Sequence, residues 1–290
     1  LPICMMMTRA PVDTEVTVLF RNSGQKSIWG TRLRARRDMY TGLEDLTRQG
    51  RPFSEFESPL ESKILDNKIG YLKIYCQSPT LVMPFPARAV RRAVERFIDA
   101  GVDGVVLDLR GNSGGEDELA ATFAGHFTEK PLFFRNVVAF DSTKGGFALK
   151  DGERLVVEPR TPVFKGPVAI LIHRNTQDSG QAIAKVLAPL QNVFVAGALA
   201  SEGSYAYIGS DITMPEGHKI SYPTGRMLDE NDEILITSGV SMQSRVVPEV
   251  RVPFTLENLD IFFNQGGDPV LDAAVAEIKG RVSQEQEGVQ

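Results

Sequence analysis

Gly104 to Gly115 reads GVVLDLRGNSGG, and it divides into a strand and a turn. Gly104 to Leu109 is nearly continuous in apolar residues, the pattern of a strand buried on both faces of a parallel sheet. Glycines at 111, 114 and 115 then let the backbone turn sharply and present its N–H groups outward. Upstream, Ile69 to Tyr75 alternates as a strand does. Behind Pro84 and Pro86, ARAVRRAVERFIDAG (Ala87 to Gly101) repeats its apolar residues at helical spacing, with Gly101 at the C′ position. Val90, Ala93, Val94, Phe97 and Ile98 fall on one face of that helix, leaving Arg88, Arg91, Arg92 and Glu95 toward solvent. Strand, helix and strand make a βαβ unit. A second unit follows, with strand Val168 to Ile172, helix Gly180 to Leu190 and strand Val193 to Val195. The expected class is α/β.

Outside these units the signals are shorter. Thr14 to Phe20 and Ile28 to Ala35 are extended patterns around the turn residues Asn22, Ser23 and Gly24, a β-hairpin signature. From Tyr40 to Ser58 polar residues, glycine and proline dominate without periodicity, which places a boundary between residues 1–57 and 58–290. Ile212 to Pro253 alternates short strands with turns, and Pro269 to Lys279 is expected to be a short amphipathic helix.

The 290 residues are 42% hydrophobic and 24% charged, as in folded globular proteins, with a net charge of −5. That charge offers no basic field for a phosphate backbone, although Arg32, Arg34, Arg36 and Arg37 cluster locally, so no nucleic-acid partner is expected. Two cysteines, Cys4 and Cys76, define neither a disulfide framework nor a metal cage. His126, His173 and His218 are dispersed and lack a metal-ligand spacing, so no metal and no cofactor is expected. No apolar run approaches the roughly 20 residues of a membrane span, and the start LPICMMMTRA lacks a charged segment before its apolar stretch. Oligomeric state leaves no signature.

Chemistry in an open α/β sheet gathers beyond the carboxyl ends of its strands. Two such ends carry unusual residues. The turn Gly111 to Gly115 suits an oxyanion hole, with Gly114 and Gly115 as donors, and equally suits an ordinary strand-to-helix turn. It has neither Walker A nor GxGxxG spacing. At the second end, HRNTQDSGQAIAKVL (His173 to Leu187), Asp178 and Ser179 stand at a helix start. They fit helix capping, and they also fit a nucleophile favoured by free N–H groups and a partial positive charge. His173 is a candidate base or a structural histidine.

The order of these motifs resembles the tail-specific, or C-terminal processing, serine peptidase family, peptidase family S41, and the core of tricorn protease. The resemblance rests on NKIGYLKI (Asn67 to Ile74), DLRGNSGG (Asp108 to Gly115), Val168 to Gln181, Val195-Ala196-Gly197 and GVSMQSRVVPEVRVP (Gly239 to Pro253). PVDTEVTVLFRNSGQ (Pro11 to Gln25) resembles the last strands of a PDZ module. The resemblance implies a crotonase-like (ClpP/crotonase type) core with βαβ units and an added β-rich segment, preceded by a truncated PDZ-like or cap element. It implies a polypeptide substrate or peptide C-terminus as partner, and a periplasmic or secreted location. Against the family's T-x-S-x-x-E segment, Asp178 stands where serine is expected and Ser179 one residue later, and Gly203 takes the lysine position. Two functions follow from the resemblance. In one, Ser179 attacks a peptide carbonyl whose oxyanion is held by Gly180 N–H and by Gly114 or Gly115, with His173 or a histidine from outside this sequence as base. In the other, Asp178 occupies the nucleophile site of a non-hydrolytic or repurposed member that binds peptide or another acyl substrate.

Overall fold

The computed structural model describes residues 13–20, 26–34, 56–201, 203, 205–217, 219–236 and 245–287. Cys4, the turn Asn22 to Gly24, Arg36, Arg37, most of Tyr40 to Ser58, His218 and the start of the Gly239 to Pro253 segment lie outside the described residues. The chain forms two units, Leu1–Glu44 and Asp45–Gln290. In the first, β1 (Glu15–Phe20) pairs antiparallel with β2 (Trp29–Arg34), Glu15 opposite Arg34 and Phe20 opposite Trp29.

The second unit is built on a six-stranded sheet. Its strands are β3 (Leu60–Leu65), β4 (Ile69–Ile74), β5 (Gly104–Asp108), β9 (Val168–Leu171), β10 (Val193–Gly197) and β13 (Val250–Arg251), in the order β13-β10-β9-β5-β4-β3. Every neighbouring pair is parallel except β3 with β4. Alternation along the strands sorts their side chains into two cores. Val105, Leu107, Ile170 and Val195 face one side, where helices α1 (Pro86–Asp99), α2 (Asp117–Ala124) and α3 (Asp178–Leu187) contribute Phe97, Phe123 and Ile183. Val106, Ala169, Leu171 and Phe194 face the other. There Ala274, Val275 and Ile278 of helix α5 (Pro269–Glu287) cover them, after a short helix α4 (Leu256–Asp260). Each such large apolar side chain stabilises the fold by about 1.5–3 kcal/mol on complete burial.

The α/β class and both βαβ units match the expectation, and the helical face of α1 does so in part. Val90, Ala93, Val94 and Phe97 are buried, whereas Ile98 is 41% exposed. Helix α3 runs from Asp178 to Leu187 rather than from Gly180 to Leu190, and α5 continues to Glu287 past the last apolar signal. In a second sheet, strands β11 (Ala206–Thr213), β12 (Lys219–Leu228), β6 (Leu132–Asp141) and β7 (Gly146–Leu149) lie in that order, with β8 (Leu155–Val157) on β6. Phe134 and Val137 of β6 tie it into the larger core. The short strands expected from Ile212 onward correspond to β11 and β12, whereas β6, β7 and β8 gave no clear sequence pattern.

Candidate active site

Strands β5 and β9 are parallel neighbours, so the two loops singled out in the sequence leave the sheet side by side. Hydrogen bonds stitch them together. Thr176 Oγ1 donates to the Leu109 carbonyl at 2.8 Å, and Gln177 N–H donates to the Asn112 carbonyl at 2.9 Å. Asn112 holds the glycine turn from within, its Nδ2 donating to the Ile74 carbonyl and its Oδ1 accepting Gly114 N–H at 2.9 Å. Gln77, just beyond β4, clamps the same turn by donating its N–H to the Gly114 carbonyl and accepting from Glu116 N–H. Gly115 has φ +147°, and a Cβ there would stand 2.5 Å from the Gln77 carbonyl oxygen, so no other residue fits.

Asp178 fills the angle between the loops. It is the first residue of α3, with φ +50°, a conformation that asparagine and aspartate tolerate better than most residues. Its Oδ2 accepts Gly115 N–H at 3.2 Å and lies so close to Gly114 that a side chain there would strike it. Burial pushes the Asp178 carboxyl up to about 6; the Ser179 N–H opposes that rise, Asp117 adds to it, and the Gly115 N–H opposes it again. Among the described residues, Asp117 is the one charged side chain acting on it. Asp117 opens α2 and is raised by its own burial, against the Tyr205 hydroxyl and then the pull of Arg135, whose Nε meets its Oδ2 at 2.6 Å. Arg135, itself buried on β6, also donates to the Glu153 carbonyl. Tyr205 completes the group. Burial, then Asp117, holds its phenol far above its ordinary range, and Asp178 acts in the same direction.

The other residues expected at the site are placed differently from one another. Ser179 is completely buried and its Oγ donates to Gln77 Oε1 at 3.1 Å. Gly180 packs where a side chain would strike Asn112. The Nδ1 of His173 accepts Asn175 N–H at 3.0 Å and Gly111 N–H at 3.4 Å, so its proton sits on the buried Nε2. Burial, followed by Arg110, lowers its pKa to about 4, so the ring is neutral across the physiological range. Among the described residues, no hydrogen bond or ion pair joins His173 to Asp178 or Ser179. Of the two glycine amides, that of Gly114 is engaged by Asn112 and that of Gly115 by Asp178. At Gly203 a Cβ would lie 2.7 Å from Gln177 Cα and from Gln181 Oε1. A lysine cannot enter there without displacing backbone.

Asp108 and Arg110 of the same motif serve the scaffold. Arg110 Nη2 lies 2.6 Å from Asp108 and 2.7 Å from Asp268, and Tyr71 donates to Asp108 at 2.7 Å. Asp268 also accepts Leu271 N–H in the first turn of α5, so this network ties that helix to the end of β5. Burial disfavours the Asp108 charge, but Arg110, Lys73 and Tyr71 outweigh it and hold the carboxyl well below the usual range.

Gln77, Asp117, Arg135 and Tyr205 were not read from the sequence. Asp117 carried a signal, an acidic residue in the first turn of a helix after a glycine turn. Gln77, Arg135 and Tyr205 carried none, because each reaches the site from a distant segment. A separate cavity, bordered by Phe127, Phe164, Leu190 and Arg281, opens at the amino ends of β9 and β10. Ligands of parallel sheets gather at the opposite ends, where Asp178 stands. Among the described residues no group of three or more histidine, cysteine or acidic side chains could hold a metal ion, and no helix is long and apolar enough to cross a membrane.

Comparison with known proteins converges on one family. The model of peptidase family S41 matches residues 68–246, more than half of the chain. Carboxy-terminal processing protease CtpA of Bacillus subtilis (strain 168) is 29% identical over 132 residues, 46% of this chain and 25% of that protein. The chain thus spans about a quarter of the length of this curated relative. In fold it is similar to a protein solved as a candidate peptidase from Parabacteroides merdae, with TM-score 0.58 and 17% identity over 83% of this chain and 70% of that one. It is also similar to mature CPAF, with TM-score 0.55 and 13% identity over 84% and 63% of the two chains. The motif order, the meeting of the two loops and the family match agree: the chain belongs to peptidase family S41.

Proposed function

We propose that this chain is a peptide-binding member of family S41 in which the serine route to hydrolysis is closed. The observation that carries this reading is the Gly115 N–H bound to the Asp178 carboxylate. Acyl transfer through a tetrahedral intermediate needs preorganised donors free for the developing oxyanion. Here one candidate donor is held by Asn112 and the other by a carboxylate on the protein itself. An oxyanion arriving beside Asp178 would meet a like charge. The occupant is an extended polypeptide segment. Two things support it: the family membership, and the position of β11, an edge strand that starts at Ala206 directly after Tyr205.

Serine-type endopeptidase activity through Ser179 is the second reading, and family membership favours it. It requires the first turn of α3 to rewind by one residue, releasing the Ser179 hydroxyl from Gln77 toward the glycine turn, and it requires a base other than the neutral, inward-facing His173. A crotonase-like assignment of the core, a PDZ-like origin of residues 1–57 and a periplasmic or secreted location belong to the same proposal, on the family resemblance. Fluorophosphonate labelling of the wild-type chain and of Ser179→Ala, run beside equilibrium binding of extended peptides, tests it. The expected result is binding without labelling. Labelling of the wild type that disappears in Ser179→Ala would establish the serine route instead.

A further inference from the structure

The six-stranded sheet ends on β3, and among the described residues no strand pairs with the outer edge of β3. Which backbone groups point outward follows from its pairing with β4. Tyr75 N–H donates to the Pro59 carbonyl at 2.9 Å, and Glu61, Lys63 and Leu65 continue that hydrogen-bonded parity opposite Lys73, Tyr71 and Ile69. The N–H and C=O groups of Leu60, Ser62 and Ile64 therefore face away from the sheet. Ser58 Oγ donates to the Leu60 carbonyl at 2.6 Å, and among the described residues no hydrogen bond takes the outward groups of Ser62 and Ile64. Such an open row is a template for another strand. Its side chains carry charge of both signs. On one face stand Glu61 and Lys63, both exposed, Glu61 accepting from the Tyr75 hydroxyl at 2.6 Å and Lys63 lying over the Tyr71 ring at 5.2 Å. On the other stand Leu60, Ser62 and Ile64, with Arg96 of α1 donating to Ser62 Oγ at 2.9 Å.

We infer that β3 is the dimer edge of this chain, pairing antiparallel with β3 of a second copy across a two-fold axis at Ser62. Outward groups must meet outward groups, so the registers that engage at least two of these residues in each copy have their axis at residue 61, 62 or 63. An axis at Glu61 sets that carboxylate against its own copy, and an axis at Lys63 does the same with two ammonium groups. The axis at Ser62 engages all three outward residues. It also sets Glu61 against the partner's Lys63 twice and Leu60 against the partner's Ile64. Opposite charges directly across a strand pair attract and like charges repel, so the charges select this register. A lone lysine would guard an edge strand against pairing, whereas here Glu61 supplies the counter-charge. Arg96 works in the other direction, because each copy brings one guanidinium toward the axis on the α1 face; that side chain is exposed and free to turn into solvent. Strands run in opposite directions across the axis, so the carboxyl ends of β5 and β9, with Asp178 beyond them, face opposite ways in the two copies. The inference is independent of the peptide-binding reading.

Sedimentation equilibrium of the 290-residue chain, from about 1 to about 200 μM, tests it. The wild type is expected to show a monomer–dimer equilibrium. Lys63→Glu, at an exposed position, sets two pairs of carboxylates against each other and should weaken dimerisation by about tenfold or more. Adding Glu61→Lys to it exchanges the charges and should restore the dimer to within about threefold of the wild type. Ser62→Pro removes an outward N–H while leaving the β3–β4 hydrogen bonds in place, and should abolish the dimer over the same range. Circular dichroism melts establish that each variant keeps the fold. A monomer at every concentration would leave the edge to a strand of another protein and overturn the inference. A dimer that neither Lys63→Glu nor Ser62→Pro weakens would lie on another surface, with the same consequence. Failure of the charge exchange to restore the dimer would overturn the register at Ser62.

Discussion

Replacing Asp178 by asparagine should make the protein more stable at neutral pH, and the size of the gain follows from the site. The Asp178 carboxyl is raised from 3.8 to about 6 by burial, with Asp117 adding to the rise. A carboxyl whose folded-state pKa lies above its unfolded value holds its proton more tightly when folded. Its contribution is therefore most favourable below the unfolded value and is lost as pH rises through about 6. At about 1.4 kcal/mol per pH unit, the interval amounts to about 3 kcal/mol of destabilisation once the group is ionised. Asparagine keeps an oxygen to accept Gly115 and Ser179 N–H while removing the charge. Asp178→Asn should then gain up to about 3 kcal/mol at pH 7.5, about 1.6 kcal/mol at pH 5 and about 0.6 kcal/mol at pH 4. Urea denaturation of both proteins across that range reads these differences directly. A variant no more stable than the wild type at pH 7.5, or a difference that does not change with pH, would refute the reasoning.

Other perturbations address the same architecture. Asp178→Ser frees the Gly115 N–H but sets its hydroxyl beside no base, His173 being neutral and Gly203 closed to a lysine, so it should remain unlabelled by fluorophosphonate in mass spectrometry; labelling that survives a further Ser179→Ala change would show a base within reach. Arg110→Ala strands Asp108, which is completely buried, and should destabilise by about 3–5 kcal/mol in denaturant titrations. Gly115→Ala should abolish folding or destabilise by well over about 2 kcal/mol, because its Cβ meets Gln77 backbone. Gly101→Ala, at φ +59° with nothing within 4 Å, should lose only about 1–2 kcal/mol in the same assay.

What could be read in the sequence was what repeats locally. Val105 to Leu107 is apolar throughout because both faces of β5 are covered, and that continuity marked a parallel sheet. The α1 pattern was equally clear up to Ile98, which stands in the last turn of the helix and stays exposed. Strand β6, LFFRNVVAFD, was missed because it mixes buried, half-buried and exposed positions without strict alternation, and because its buried Arg135 reads as a surface residue. The SQEQE end of α5 offers no apolar residue to continue the helical period. At the site, both loops were found from glycine and polar residues at strand ends. Which of Asp178 and Ser179 turns toward the glycines depends on the φ of +50° at Asp178 and on the Gln77 amide that takes the Ser179 hydroxyl. Neither is encoded in local spacing.

The Asp178 carboxylate closes the site by lying on the Gly115 amide, and that contact can be followed in solution. The Gly115 amide proton shift, recorded by NMR from pH 4 to 8, should titrate with a midpoint of about 6, as the Asp178 carboxyl does, and should be flat in Asp178→Asn. A Gly115 amide that stays flat in the wild type, or whose titration persists in Asp178→Asn, would contradict it.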